Sequence, residues 1–97
     1  MPLHTLNATP NQSAFAQCLR MLGPQDALLL LGDGVYGAIK DTEAAKALQN
    51  SGAELYILEP DARASGLEKR LAECFKPLDY DGFVELSERF PSQQAWY

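Results

Sequence analysis

Four consecutive leucines, Leu28 to Leu31, run directly into Gly32-Asp33-Gly34-Val35-Tyr36-Gly37. An apolar run this short, bounded by Asp26 and Gly32, has no polar face, so it predicts a strand buried on both sides in a parallel sheet covered by helices. The glycines that follow predict a tight turn that opens a helix. Ligands of open α/β sheets bind just beyond the carboxyl ends of the strands, so a site in such a chain is expected near this junction.

The rest of the chain repeats the pattern. Leu3 to Leu6 reads as a first strand, and Thr9-Pro10 as a helix start, with Thr9 as N-cap and Pro10 in the first helical position. That helix is predicted to run to Leu22 and end at Gly23-Pro24, with Phe15, Cys18, Leu19 and Leu22 sharing one face. Val35 to Gln49 is predicted helical, with a break near Lys40-Asp41-Thr42 and Thr42 capping the second piece. Glu54 to Leu58 is the third strand, stopped by Pro60, and short helical turns follow from Asp61 to Cys74, interrupted by Gly66. Phe75 to Tyr80 is a fourth strand that Pro77 demotes to an edge or irregular position. Asp81 is the expected N-cap of a helix through Phe90, and Gln93 to Tyr97 a short last strand. Strand, helix, strand, helix, strand is βαβ logic with right-handed crossovers: one α/β domain over residues 1–97, built on a mostly parallel sheet of about five strands.

Gly32 to Gly37 also satisfies G-x-G-x-x-G, with Glu54 and Glu59 at the sequence distance of a ribose-binding acid. The dinucleotide fingerprint belongs to the first strand of a longer domain, whereas this turn follows the second strand of a short one. A small nucleotide-binding module therefore stands as an alternative to a plain structural turn.

With 97 residues, 46% of them hydrophobic, the chain folds with little margin, and further burial in an oligomer would help it. The net charge of −5 and pI near 4.6 argue against a nucleic-acid surface, which needs Lys and Arg to neutralise phosphates. No run approaches the roughly 18 apolar residues of a membrane span. Met1-Pro2-Leu3-His4 lacks the basic and apolar regions of a signal peptide, so the cytoplasm is the expected location. Cys18 and Cys74 are too few and too far apart for a metal cluster or a disulfide framework, and both are expected to be free thiols.

Several stretches resemble the small DsrH/TusB proteins of bacterial sulfur relay, and the likeness runs end to end. Leu3-His4-Thr5-Leu6-Asn7 is similar to that family's opening strand, and Leu28 to Leu31 with Asp33-Gly34-Val35 to its second strand and turn. Tyr56, Leu58, Asp61, Ala64 and Gly66-Leu67 follow, and the closing stretch is the most specific: Asp79-Tyr80, Phe83-Val84, Leu86, Pro91-Ser92-Gln93 and Ala95-Trp96. Gly32 and Gly37 are not part of the pattern. The resemblance implies a DsrEFH-like, Rossmann-like three-layer fold, and one subunit of a heterohexamer with TusC/DsrF-like and TusD/DsrE-like partners. Such a complex takes persulfide sulfur from a TusA-like carrier and hands it to a TusE/DsrC-like acceptor, without itself binding nucleic acid or membrane. In the TusBCD form the sulfur ends as 2-thiouridine at the tRNA wobble position; in the DsrEFH form the same architecture serves sulfur oxidation. Pro91-Ser92-Gln93 is closer to the tRNA branch. No cofactor or metal is implied.

The candidate catalytic residue is Cys18, which falls where many DsrH-type members carry a cysteine. Persulfide transfer needs a thiolate, and an unperturbed thiol with a pKa of about 8.5 is only about 3% ionised at pH 7. Cys18 is mid-helix, with Ala14, Phe15, Met21 and Leu22 as its i±3 and i±4 neighbours, so nothing local activates it. A buried cysteine packing as a small hydrophobe is the other reading, with the main sulfur acceptor on a partner subunit. Cys74 shares an apolar face with Leu67, Leu71 and Leu78 and reads as structural. His4 is the sole histidine, without a second ligand in reach, and is expected to be a hydrogen-bonded structural residue. Asp33 is expected to cap or buttress its turn. Trp96 and Tyr97 are expected to dock against the domain or a partner subunit.

Overall fold

The leucine run becomes the central strand of a five-stranded parallel sheet. In the computed structural model, which describes residues 2–97, β2 (Ala27–Leu30) is buried at every position. It lies between β1 (Leu3–Leu6) and β3 (Glu54–Leu58), with β4 (Lys76–Leu78) and β5 (Gln93–Trp96) at the two edges, in the order β4-β3-β2-β1-β5. Leu28 sits between His4 and Leu55 in register, and Leu30 between Leu6 and Ile57. Strand alternation sends Leu6, Leu28, Leu30, Leu55 and Ile57 to one face and Leu3, Ala27, Leu29, Tyr56 and Leu58 to the other.

The order explains the layers. From β1 to β4 the chain steps one place at a time in one direction, so right-handed crossovers put the connections on a single face. That face carries α1 (Ser13–Met21), a 3-10 helix (Gly32–Ala38), α2 (Glu43–Asn50) and α3 (Glu59–Ala64), which contribute Phe15 and Cys18, Val35, Leu48 and Ala62 to the larger apolar cluster. From β4 the chain returns across the whole sheet to β5, reversing direction. Accordingly α4 (Tyr80–Arg89) covers the opposite face, with Leu86 and, just beyond it, Phe90 against Leu3, Leu29 and Tyr56.

Local chemistry moves several boundaries. The first helix starts at Ser13, because Thr9 is held in a preceding turn: its N–H donates to Gln12 Oε1 at 2.8 Å and its hydroxyl to Asn11 Oδ1 at 2.5 Å. Side chains that bond nearby backbone compete with helix entry in this way. The glycine-rich segment forms 3-10 rather than α-helix, since Gly34 and Gly37 have poor helix propensity and the Ile39–Leu71 bridge pulls the chain out after Ala38. Thr42 caps α2 as expected, accepting from the Ala45 N–H at 3.3 Å. Pro60 does more than stop β3; it lies in the first turn of α3, where its missing donor is harmless. Asp79, not Asp81, caps α4, accepting from the Gly82 N–H at 2.7 Å, while Asp81 faces the helix dipole from the first turn. The strand containing Pro77 is an edge strand.

Candidate functional site

The carboxyl ends of β1, β2 and β3 meet where the fold would present a ligand site, and the chain fills that place itself. The Gly32 N–H donates to Asp61 Oδ2 at 2.7 Å, the Asp33 N–H to Asn7 Oδ1 at 2.9 Å, and the Gly34 N–H to the Leu31 carbonyl at 2.9 Å. These are the amides that would cradle a phosphate. A carboxylate already stands among them, so an incoming anion would meet both occupied donors and a like charge. The glycines have packing reasons: Gly32 takes a φ of +53°, a Cβ on Gly34 would run into the Leu6 carbonyl, and one on Gly37 would lie 2.7 Å from Phe15 Cε2. Of the two ribose-acid candidates, Glu54 is at the opposite end of β3, paired with Arg89, and Glu59, at the carboxyl end of β3, is already bonded by Arg63 Nε at 3.0 Å. The turn's donor set does not fit a nucleotide, and Asp61 rather than Asp33 supplies the buttressing carboxylate. Asp33 contributes its N–H and is itself exposed.

Cys18 lies on the inner face of α1, fully buried against the sheet with Ala14 and Phe15 beside it. Burial pushes its thiol up to about 12, because a thiolate there would lose its water without gaining a cation or a donor. At pH 7 that leaves about one molecule in 10⁵ ionised. Cys74 is different. It is free and half-buried, and lines an open cleft of about 370 Å³ between Lys40, Lys46 and Gln49 on one side and Ala72 and Glu73 on the other. Desolvation raises its pKa too, with a backbone hydrogen bond working against the rise. The two cysteines therefore share no pocket: Cys18 lies inside the larger apolar cluster, and Cys74 packs against its edge beside the cleft. Among the described residues, no three His, Cys, Asp or Glu side chains gather as metal ligands would.

A polar chain runs along the β1–β5 border. His4 is buried, on the same sheet face as Leu6 and in register with Gln94. The Trp96 indole N–H donates to its Nδ1 at 3.0 Å, and Nε2 lies 3.2 Å from Asp26 Oδ2, which also accepts the Gly23 N–H at 3.0 Å. An indole nitrogen only donates, so Nδ1 must accept and the ring proton resides on Nε2, shared with Asp26. The expected structural role of His4 thus has named partners. Nothing local in the sequence singles out Asp26 or pairs Trp96 with His4, which stand 22 and 92 residues from it. Trp96 is half-buried by this contact, whereas Tyr97 is 83% exposed.

Comparison with known proteins places this arrangement in a family. A model described as DsrH-like protein matches residues 8–93. Protein TusB of Escherichia coli O1:K1 is 40% identical over 94 residues, covering 97% of this chain and 99% of that one, and Protein TusB of Shigella boydii serotype 18 is 39% identical over the same span. The solution structure of protein Tm0979 from Thermotoga maritima superimposes with a TM-score of 0.70 over 92% of this chain and 93% of that one; at 21% identity it speaks for the fold. With a family model matched over most of its length and full-length relatives at this identity, the chain belongs to the DsrH-like family.

Proposed function

We propose that this chain is a subunit of a hetero-oligomeric sulfurtransferase complex of the TusBCD type, which relays persulfide sulfur toward 2-thiolation of the tRNA wobble uridine. Its family and its 40% identity to Protein TusB across 97% of its length support that reading. The partners are TusC- and TusD-type subunits, the donor a TusA-like carrier and the recipient a TusE-like acceptor. The acidic balance, −5, suits a protein that leaves the tRNA to others.

The observation that supports a structural part for this chain within the complex is the burial of Cys18. Persulfide transfer proceeds by thiolate attack on a sulfane sulfur, with the donor thiolate leaving. A sulfur atom enclosed under α1, with its thiol pushed up to about 12, is not presented for that attack. The sulfur-accepting cysteine then belongs to a partner subunit, and this chain builds and shapes the complex. Cys18 as a relay station in its own right is the second reading, and requires α1 to lift from the sheet before the thiol is exposed.

Intact mass spectrometry of the chain co-expressed with TusC- and TusD-type partners, after loading by a cysteine desulfurase and a TusA-like carrier, decides between them. Co-purification with the added sulfur only on a partner supports the structural role. Added sulfur on this chain, lost in Cys18→Ser, transfers the role to Cys18. A chain that neither co-purifies nor influences sulfur loading overturns the proposal.

A further inference from the structure

We infer that the outer face of α4 docks a partner subunit that presents an apolar patch rimmed by lysine and arginine; the inference rests on reading this chain as one subunit of a hetero-oligomer. The first observation is uneven cover on the sheet. Among the described residues, α1, the 3-10 helix, α2 and α3 pack on one face and α4 alone on the other. With strands about 4.8 Å apart, five of them make a sheet about 24 Å wide, against about 10–12 Å for a helix with its side chains. α4 closes the middle, over Leu3, Leu29 and Tyr56. On that side the two edge strands stay open: Gln93 and Ala95 of β5, in register with Leu3 and Thr5, and Lys76 of β4, in register with Tyr56, are exposed.

The second observation is what α4 shows to solvent. Tyr80 and Val84, one turn apart, are 60% and 55% exposed, and the exposed carboxylates of Asp81, Glu85 and Glu88 form the row beside them. Asp81 and Glu85 are like charges at i,i+4, Glu85 and Glu88 at i,i+3, and Glu88 stands in the last turn, where the helix dipole favours a cation. The one cation of this helix, Arg89, is four residues from Glu85 but turns to Glu54 and the Tyr56 hydroxyl. Among the described residues no lysine or arginine pairs with Asp81, Glu85 or Glu88. The row therefore costs the isolated helix stability and is balanced only by cations from outside. Nucleic acid and anionic lipid would bring like charge to it. A protein with lysine and arginine around an apolar centre fits both halves of the face: its cations meet the row, and its centre covers Tyr80 and Val84. Between α4 and the edge of the sheet, a recess of about 140 Å³ lined in part by Tyr56, Leu78 and Leu86 gives that centre a place to seat an apolar side chain.

The test is charge reversal in the assembled complex. The chain is co-expressed with its TusC- and TusD-type partners, one of them tagged, and its recovery with the tag is measured from about 50 to about 500 mM salt, a span that shortens electrostatic reach several-fold. Wild-type recovery is expected to fall as salt rises. Glu85→Lys/Glu88→Lys is expected to lower it about 100-fold, because like charges then face each other across the contact, and Val84→Asp to lower it as well. Glu68→Lys/Glu73→Lys makes the same change of charge in the exposed turns before β4 and is expected to leave recovery unchanged. All three positions on α4 are exposed, so melts of the isolated variants should match the wild type's. Full recovery of both α4 variants from partners that bind the wild type overturns the docking face while the subunit reading stands. Equal loss in the two double reversals also overturns it, since net charge alone is then at work. Failure of the wild type to assemble overturns the subunit reading and this inference together. Self-association of the isolated wild type that the α4 reversal dissolves gives the face to a second copy, which overturns the inference too.

Discussion

The Asp61 carboxylate accepts the Gly32 amide hydrogen at 2.7 Å, tying the start of α3 to the turn after β2. This contact decides what the glycine-rich turn does, since the negative charge a phosphate would bring is already in place. A hydrogen bond to a charged acceptor contributes about 1.5–3 kcal/mol. Asp61→Ala is expected to lower stability by about that amount, read as a lower urea midpoint with an unchanged m-value. Wild-type protein titrated with ADP or NAD is expected to give no binding heat. Saturable heat with either would show that the turn opens and that the carboxylate is displaceable.

The second prediction separates two glycines. A Cβ at Gly37 would lie 2.7 Å from Phe15 Cε2 and 3.6 Å from Leu48 Cδ1, inside the larger core, whereas one at Gly66 would meet nothing within 4 Å. Overpacking a core costs about 1–3 kcal/mol. Gly66 has φ of +73°, so its replacement by alanine meets backbone strain of about 1–2 kcal/mol and no steric contact. Thermal melts of Gly37→Ala and Gly66→Ala should therefore rank in that order. The reverse order would mean that Phe15 can swing away from the 3-10 helix.

These residues also mark how far a sequence can be read. The strands Leu3–Leu6 and Glu54–Leu58, the buried run near Leu28 and the Thr42 cap follow from apolar patterning and local hydrogen-bonding chemistry, which act within a few residues. The start of α1 and the cap of α4 differ from the expectation because bonds two or three residues long decide them: the Thr9 N–H donates to Gln12 Oε1 in the preceding turn, and the Gly82 N–H donates to Asp79. The contacts that define the site are of another kind. Asp61 reaches Gly32 across 29 residues and Trp96 reaches His4 across 92, so only the strand order brings them together. Cys18 was legible as an apolar-face position, and its complete enclosure follows from α1 packing on the sheet.

The third prediction concerns pH and Cys18. Its thiol is raised from 9.0 to about 12 by burial. Below about pH 9 folded and unfolded chains both carry the thiol, and the group leaves stability untouched. Between about 9 and about 12 the unfolded thiol gives up its proton while the buried one keeps it, so the unfolded state binds fewer protons and stability falls as pH rises. Three units correspond to roughly 4 kcal/mol lost by the top of that window. Cys18→Ala is expected to remove this component, so the variant's stability should decline less steeply above about pH 9 than the wild type's. Parallel slopes would mean that the thiol is hydrated in the folded chain.

The same burial sets the order of chemical modification. At neutral pH a maleimide is expected to label half-buried Cys74 first, with Cys18 reacting only as the protein opens. Labelling of Cys18 should therefore accelerate with urea in step with loss of structure. Cys18 labelling that is as fast as that of Cys74 in buffer alone would indicate a readily lifted α1, the motion that a sulfur-carrying Cys18 requires.

The last prediction divides the two terminal aromatics. Trp96→Phe keeps most of the ring's packing but removes the N–H, leaving the Nδ1 of a buried His4 without its donor, which costs about 1–3 kcal/mol. Deleting Tyr97, which is 83% exposed, should change the stability of the isolated chain by no more than about 0.5 kcal/mol. A side chain that adds nothing to the folded monomer but carries a large apolar area is suited to contact with another subunit. The informative comparison is thus between stability and assembly. If loss of Tyr97 leaves the melt unchanged yet weakens co-purification with TusC- and TusD-type partners, the end of β5 lies at an interface. If assembly is equally unchanged, the proposed interface lies on another face.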